Sequence, residues 1–110
     1  MDTISWDAFT NVDLRAGTIT KAEVFAEANI PAFKLWIDLG EDLGLKKSSA
    51  QIKNYPLEDL VGKQVLCVVN LAPKQVANFM SEVLVTGFVL EHETILATSN
   101  SIVPNGTRLS

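Results

Sequence analysis

The first half of the chain alternates apolar and polar residues with the period of half-buried β-strands. Apolar side chains occupy every second position over residues 12–16. The same period of two runs through Phe33–Leu39, where Trp36 takes the polar parity. After Gly17 the apolar parity shifts by one, to Ile19, which predicts a bulge or bend in the first strand. These patterns predict two long strands near the start of the chain.

Shorter strands follow in the second half, separated by turns and single helical turns. The predicted strands there are Leu45–Ile52, Val65–Val69, Val83–Thr86 and Thr94–Ala97, followed by a C-terminal stretch through Pro104–Gly106. Short helices are predicted at Ser5–Phe9 and Pro56–Leu60, a turn at Gly40–Gly44 and a loop at Ala26–Ala32. Many short strands, with one helical turn between the third and the fourth, predict an all-β Greek-key barrel of the OB type. Without linkers or repeats, residues 1–110 form one domain.

Val65–Val69 is apolar on both parities, although a barrel strand needs only one buried face. This strand is therefore either central or covered by another subunit. The N-terminal helix with Trp6 and Phe9, and the C-terminal tail, are further apolar segments that a small barrel has little room to cover. We expect a symmetric homodimer that uses some of these surfaces.

The segment from Asn70 to Glu82 combines amide, cationic and aromatic side chains around Pro73, which is typical of a binding surface. Trp36, Phe79 and Met80 are candidates for contact with an apolar peptide. Trp36 could instead pack against the N-terminal helix, and Phe79 and Met80 could plug one end of the barrel. Asn70 and Ser81 could hold the loop through hydrogen bonds to the backbone.

Charge is unevenly distributed along the chain. The formal net charge is −4, but residues 44–81 hold five lysines against two acids and carry +3, while the remainder carries −7. This pattern permits weak phosphate binding, with Lys46, Lys47 and Lys74 as the candidate patch. On charge alone, ordinary solvated lysines are the simpler explanation of the same count.

Composition and residue types argue against several other classes. A hydrophobic content of 47% is typical of a globular protein, and no apolar run approaches the roughly 20 residues that span a bilayer. One cysteine, Cys67, in an apolar run, and no signal-like start predict a cytoplasmic protein with a buried, inert thiol. The single histidine, His92, lies in a turn-like stretch. We therefore expect no enzyme, no metal site and no cofactor.

Several ordered motifs resemble one family over nearly the whole chain. Asp13–Ile19 resembles the opening strand of the tRNA-binding domain family, and Pro31–Leu35 resembles its "P-A-x-K-L" entry to the second strand. Val69–Lys74 resembles its "N-L-x-P-x" turn, and Ser81-Glu82 the "S-E" that follows. Within this family, "PAFKLWIDLG", "KKSSAQI", "FMSEVLV" and the "VPNG" ending at Val103–Gly106 are similar to CsaA-type bacterial secretion chaperones.

The resemblance implies a five-stranded OB barrel with short flanking helices and terminal extensions, assembled as a homodimer. It implies a chaperone that holds unfolded preproteins for export and engages the SecA translocation motor. The wider family implies tRNA binding, either weak beside the chaperone role or as the main function, in trans on tRNA or a synthetase. Ser48–Gln51 replaces a serine-glycine-leucine segment of many tRNA binders, and this difference favours peptide binding over tRNA binding. The tRNA candidates are Lys46, Lys47, Ser48, Ser49, Gln51, Asn70, Lys74 and Ser81.

Overall fold

The computed structural model describes all residues from Met1 to Ser110, and its regular elements are mostly short strands. The helical elements are α1 (Trp6–Thr10), α2 (Gly40–Leu43) and one 3-10 turn (Leu57–Asp59). The strands are β1 (Leu14–Val24), β2 (Phe33–Asp38), β3 (Leu45–Ala50), β4 (Gln64–Val68), β5 (Lys74–Val76), β6 (Phe79–Ser81), β7 (Leu84–Val85), β8 (Gly87–Val89), β9 (Thr94–Leu96) and β10 (Arg108–Leu109).

Five antiparallel strands lie in the order β3-β2-β1-β4-β7, and β10 adds to β1 beside Leu14. The sheet nearly closes on itself because Glu82 and Val83, just before β7, both donate their backbone N–H to the carbonyl of Lys47 in β3. Closure through β7 and β3 gives the strand arrangement of an OB barrel. The predicted all-β OB-type fold is confirmed.

The barrel interior is one apolar cluster built from alternate positions of the long strands. Leu35, Ile37 and Leu39 point inward from β2 and its end and are fully or almost fully buried. Ile19 from β1, with Val65 and Cys67 from β4, completes the centre of this cluster. The alternation seen in the sequence therefore marks the inner face of the barrel.

The bend predicted after Gly17 lies three residues later. The register between β1 and β2 shifts between Ile19 and Lys21. Gly17 serves a different purpose, because a Cβ there would come within 2.5 Å of Ile37 and 2.6 Å of Leu39. The glycine lets two strands approach, while the bulge coils β1 around the barrel.

Strand β4 is central, lying between β1 and β7. Four of its five residues are buried within the single chain. Of the two alternatives for this apolar strand, the central position is therefore the one observed. A second subunit is not needed to cover it.

The polar loop expected around Pro73 is instead a β-hairpin, in which Lys74 pairs with Ser81 and Val76 with Phe79. Ala77 at its tip has φ of 49°, the left-handed conformation that a tight turn requires. The sequence signal was weak because these strands are only three residues long.

Helix α1 is capped by Ser5, whose hydroxyl accepts a hydrogen bond from the backbone N–H of Ala8 at 3.0 Å. None of its residues is buried, and Trp6 is 86% exposed. None of the helices in the structure has the length and apolar character needed to cross a membrane.

Candidate functional site

A cleft of about 530 Å³ lies between the loop after β1 and the β5–β6 hairpin. One wall is loop residues 27–30, and the other is the hairpin with Leu71 and Ala72 before it. The end of β3, with Ser49 and Gln51, and the segment Ser81–Leu84 form the floor. About half of the lining residues are apolar, as expected for a site that binds an organic ligand.

Beside this cleft, two side chains add to the backbone hydrogen bonds that close the barrel. The hydroxyl of Ser81 accepts a hydrogen bond from the backbone N–H of Ser49 at 3.0 Å. A carboxylate oxygen of Glu82 accepts from the backbone N–H of Lys47 at 3.0 Å. The Ser-Glu pair therefore satisfies two donors on the edge of β3.

The charged groups of the cleft are two carboxylates and one ammonium, those of Glu27, Glu82 and Lys74. Lys34 lies nearby, with its Nζ 3.8 Å from a carboxylate oxygen of Glu27. The lining itself thus carries a net charge of −1, which disfavours a polyanion inside the cleft.

Phe79 is only 6% exposed, so the structure corrects its placement as a freely exposed ring in a polar loop. Its ring centroid lies 5.5 Å from that of Phe25 and 5.8 Å from that of Trp36, both edge to face. With Ala32 it forms a second small apolar cluster, on the outer face of β2. This ring therefore packs the hairpin against the barrel. Phe79 has a packing role, as in the alternative in which it plugs one end of the barrel, but it lies on the outer face of β2.

Trp36 and Met80 keep access to solvent but lie on different surfaces. Trp36 is half-buried and packs against Phe79, not against helix α1. Met80 is 38% exposed and pairs with Gln75 across the hairpin. The three residues proposed for peptide contact therefore do not line one groove.

Lysines surround the exposed side of this aromatic cluster. Lys21, Trp36 and Lys47 are cross-strand neighbours on β1, β2 and β3. The Nζ of Lys21 lies 4.6 Å from the centre of the Trp36 ring, and that of Lys47 lies 5.1 Å from the Phe79 ring. We call Lys21, Trp36 and Lys47 the cationic row.

The eight tRNA candidates divide into three groups. Four of them line the cleft: Ser49, Gln51, Lys74 and Ser81. Ser48 is completely buried, which removes it from any contact surface. The side-chain amide of Asn70 accepts a hydrogen bond from the backbone N–H of Asp13 at 3.0 Å and donates one to the backbone carbonyl of Asn11 at 2.7 Å. Lys46 and Lys47 occupy successive positions of β3 and so point to opposite faces. The three lysines therefore do not form one patch.

Lys21 and Lys34 were not predicted as site residues from the sequence, and neither were the apolar residues Ala28 and Ile30. The outward parity of Lys34 in β2 was a usable signal. No signal in the sequence indicated that Ala28 and Ile30 line the cleft, because residues of a loop follow no periodic pattern.

Titratable groups away from the cleft are structural. Burial raises the pKa of the Cys67 thiol to about 12. A side-chain hydrogen bond from Arg15, 2.7 Å long, lowers the pKa of Asp13. No group of three or more His, Cys, Asp or Glu side chains is placed to hold a metal ion.

The OB barrel, with a cleft beside its third strand, defines the class of the protein. Residues 14–108 match the family model described as "Putative tRNA binding domain". The chain belongs to the tRNA-binding domain family.

Among curated proteins, the chain is similar to two methionine–tRNA ligases. That of Salinibacter ruber is 39% identical over 84 residues, which is 76% of this chain and 12% of the ligase. That of Halalkalibacterium halodurans is 32% identical over 106 residues, 96% of this chain and 16% of the ligase. The chain thus spans only a small part of these enzymes.

Among solved structures, the chain is similar to chains that it covers over their full length. Chaperone CsaA from Bacillus anthracis str. Ames is 50% identical with a TM-score of 0.92, covering 99% of this chain and 100% of that one. The CsaA chaperone protein from Picrophilus torridus is 41% identical with a TM-score of 0.94, at 98% and 100% coverage. A MetRS related protein from Pyrococcus horikoshii is 27% identical with a TM-score of 0.86, and both chains are fully covered. The resemblance to CsaA-type proteins of this family is confirmed.

Proposed function

We propose that the protein is a CsaA-like chaperone that binds unfolded preprotein segments for export, in the cytoplasm and without catalytic activity. The observation that carries the proposal is the cleft beside β3, which is half apolar and slightly acidic. Such a surface accepts exposed apolar side chains of an unfolded chain and repels a phosphate backbone. The similarity to solved CsaA chaperones supports the same function.

A second function, tRNA binding, is favoured by the cationic row and by the family of the chain. In the row, Trp36 keeps partial access to solvent and is the cross-strand neighbour of Lys21 on one side and of Lys47 on the other. Rings on OB-barrel faces stack on bases, while flanking lysines contact phosphates. Lys21 also lies 3.2 Å from a carboxylate oxygen of Glu23, which reduces the charge available to RNA. We therefore propose that tRNA binding is weaker than preprotein binding. In the alternative, in which tRNA binding is the main function, the partner is tRNA or a synthetase.

One experiment separates the two functions: binding of an unfolded preprotein and of tRNA, measured in parallel over a salt series. Ile30→Asp should weaken preprotein binding at least tenfold and leave tRNA binding unchanged, because Ile30 lines the cleft. Val61→Asp is the matched control, since Val61 is similarly exposed but lies outside the cleft. Equal preprotein affinity in all three proteins would reject the cleft as the chaperone site.

The tRNA arm uses Lys21→Gln with Lys47→Gln, against Lys53→Gln as the control outside the cationic row. Each phosphate contact contributes roughly one unit to the slope of log affinity against log salt, so the double variant should lose up to about two units. Preprotein binding should hardly change. A tRNA salt slope equal to that of the control would place the RNA site elsewhere.

We further propose a symmetric homodimer in which exposed apolar residues of α1 and the β8–β9 hairpin are covered. Trp6, Phe88 and Val89 are large apolar side chains left mostly in solvent by the single chain. Obligate interfaces cover this kind of surface. Light scattering at micromolar concentration should give twice the chain mass, and Val89→Asp should halve it. The SecA motor is the proposed downstream partner, to be tested by analytical ultracentrifugation with purified SecA; separate sedimentation of the two proteins would remove it.

A further inference from the structure

We propose that the open C-terminal end of the β3 edge, at Ser49 and Gln51, binds an extended peptide by β-strand addition, so that the cleft recognises backbone as well as apolar side chains. This inference rests on the proposed chaperone function and specifies how the ligand is held. An added strand gives affinity through main-chain hydrogen bonds and selects side chains only at alternate positions. Such recognition suits a protein whose ligands share a conformation and not a sequence.

The edge of β3 is only partly occupied by the rest of the chain. Residues two apart on a strand direct their backbone groups to the same neighbour. Because Lys47 bonds to the segment before β7, Ser49 and Gln51 direct their backbone groups to the same side. The hydroxyl of Ser81 accepts a hydrogen bond from the backbone N–H of Ser49. The carbonyl of Ser49 accepts only one long hydrogen bond, of 3.4 Å, from the hydroxyl of Ser48.

Gln51 extends this edge into the cleft with its hydrogen-bonding groups free. Neither its N–H nor its carbonyl has a backbone partner, and the residue is exposed. Gln51 and Ser49 both line the cleft. The edge therefore offers a carbonyl, an N–H and a second carbonyl in strand order, which is the pattern that an extended peptide complements.

The cleft walls match the side chains that an added strand would present. Ile30, Leu71 and Leu84 are each about half exposed or more and belong to three different segments around the edge. One parity of the added strand would lie among them, and the other parity would face solvent. The net acidic lining disfavours an acidic segment, so the ligand is an extended stretch with apolar residues at every second position and few acids.

The test uses a short acetylated peptide of alternating leucine and serine, unmodified or N-methylated at every second residue in one of two registers. N-methylation removes an N–H donor without changing the side chain. Methylation in the register whose N–H groups face β3 removes the donors to the two carbonyls and should weaken binding roughly thirtyfold, since each net hydrogen bond is worth about 1 kcal/mol. Methylation in the other register should leave the affinity within about twofold.

Protein variants test the same contact from the other side. Gln51→Pro deletes the backbone N–H of this residue, whereas Gln51→Ala deletes only the side chain. We expect about fivefold weaker peptide binding for Gln51→Pro and no change for Gln51→Ala. The melting temperature of each variant shows whether the comparison is made between folded proteins, and the methylated peptides need no variant at all.

The outcomes separate this inference from the function on which it rests. If the unmodified peptide binds but both methylated registers bind as well as it does, strand addition is wrong while the chaperone function stands. Equal losses in both registers also refute strand addition. If the unmodified peptide does not bind, the chaperone function fails first. Displacement of the peptide by a uridine oligonucleotide would assign the edge to nucleic acid.

Discussion

Replacement of Phe79 by alanine tests whether this ring is a fastening for the hairpin or a ligand contact. The ring is 6% exposed and packs edge to face on Phe25 and Trp36. Truncation of a buried phenylalanine costs about 3 to 5 kcal/mol, which is a large part of the roughly 5 to 15 kcal/mol available to a domain of this size. We therefore expect the melting temperature to fall by roughly 10 to 20 °C.

Urea unfolding followed by tryptophan fluorescence measures this change. The measurement uses a Trp6→Phe background, in which Trp36 is the only tryptophan, so the signal reports on the ring that contacts Phe79. Met80→Ala is the control in the same hairpin, and it should cost less than the Phe79 change because Met80 is 38% exposed while Phe79 is 6% exposed. An unchanged urea midpoint for Phe79→Ala would refute the fastening role. Weaker preprotein binding at full stability would return Phe79 to the ligand surface.

Three further predictions concern the polar contacts and the buried thiol. Ser81→Ala leaves the backbone N–H of Ser49 without its acceptor and should cost about 1 to 3 kcal/mol of unfolding free energy, with Ser81→Thr restoring most of it; equal midpoints would contradict this. The pKa of Asp13 is lowered in the folded state, so its contribution to stability is present above the ordinary value of 3.8 and is lost as the pH falls through the folded pKa. Asp13→Asn should therefore reduce the dependence of the unfolding free energy on pH in that window. Because the pKa of Cys67 is about 12, a thiol reagent at pH 8 should label the protein only in denaturant, and rapid labelling of the native protein would show that the thiol is not buried.

The sequence by itself determined the inner face of the barrel. Alternation in Phe33–Leu39 marked the residues that became the core, because a strand places successive side chains on opposite faces. The double-sided apolar run at Val65–Val69 indicated a strand that is either central or covered by another subunit, and the structure places β4 between β1 and β7. The motifs that resemble the tRNA-binding domain family were also present in the sequence alone.

Only the tertiary structure decided which polar residues meet. The expected lysine patch does not form because Lys46 and Lys47 lie on opposite faces of one strand. Ser48, another expected contact residue, is fully buried in the barrel. Phe79 is buried by residues 43 and 54 positions earlier in the chain, a relation that no local pattern records. The cleft unites a loop, a strand end and a hairpin, and its walls exist only once the barrel has closed. Local periodicity reports which face of a strand is buried, but closure of the sheet decides which exposed groups become neighbours.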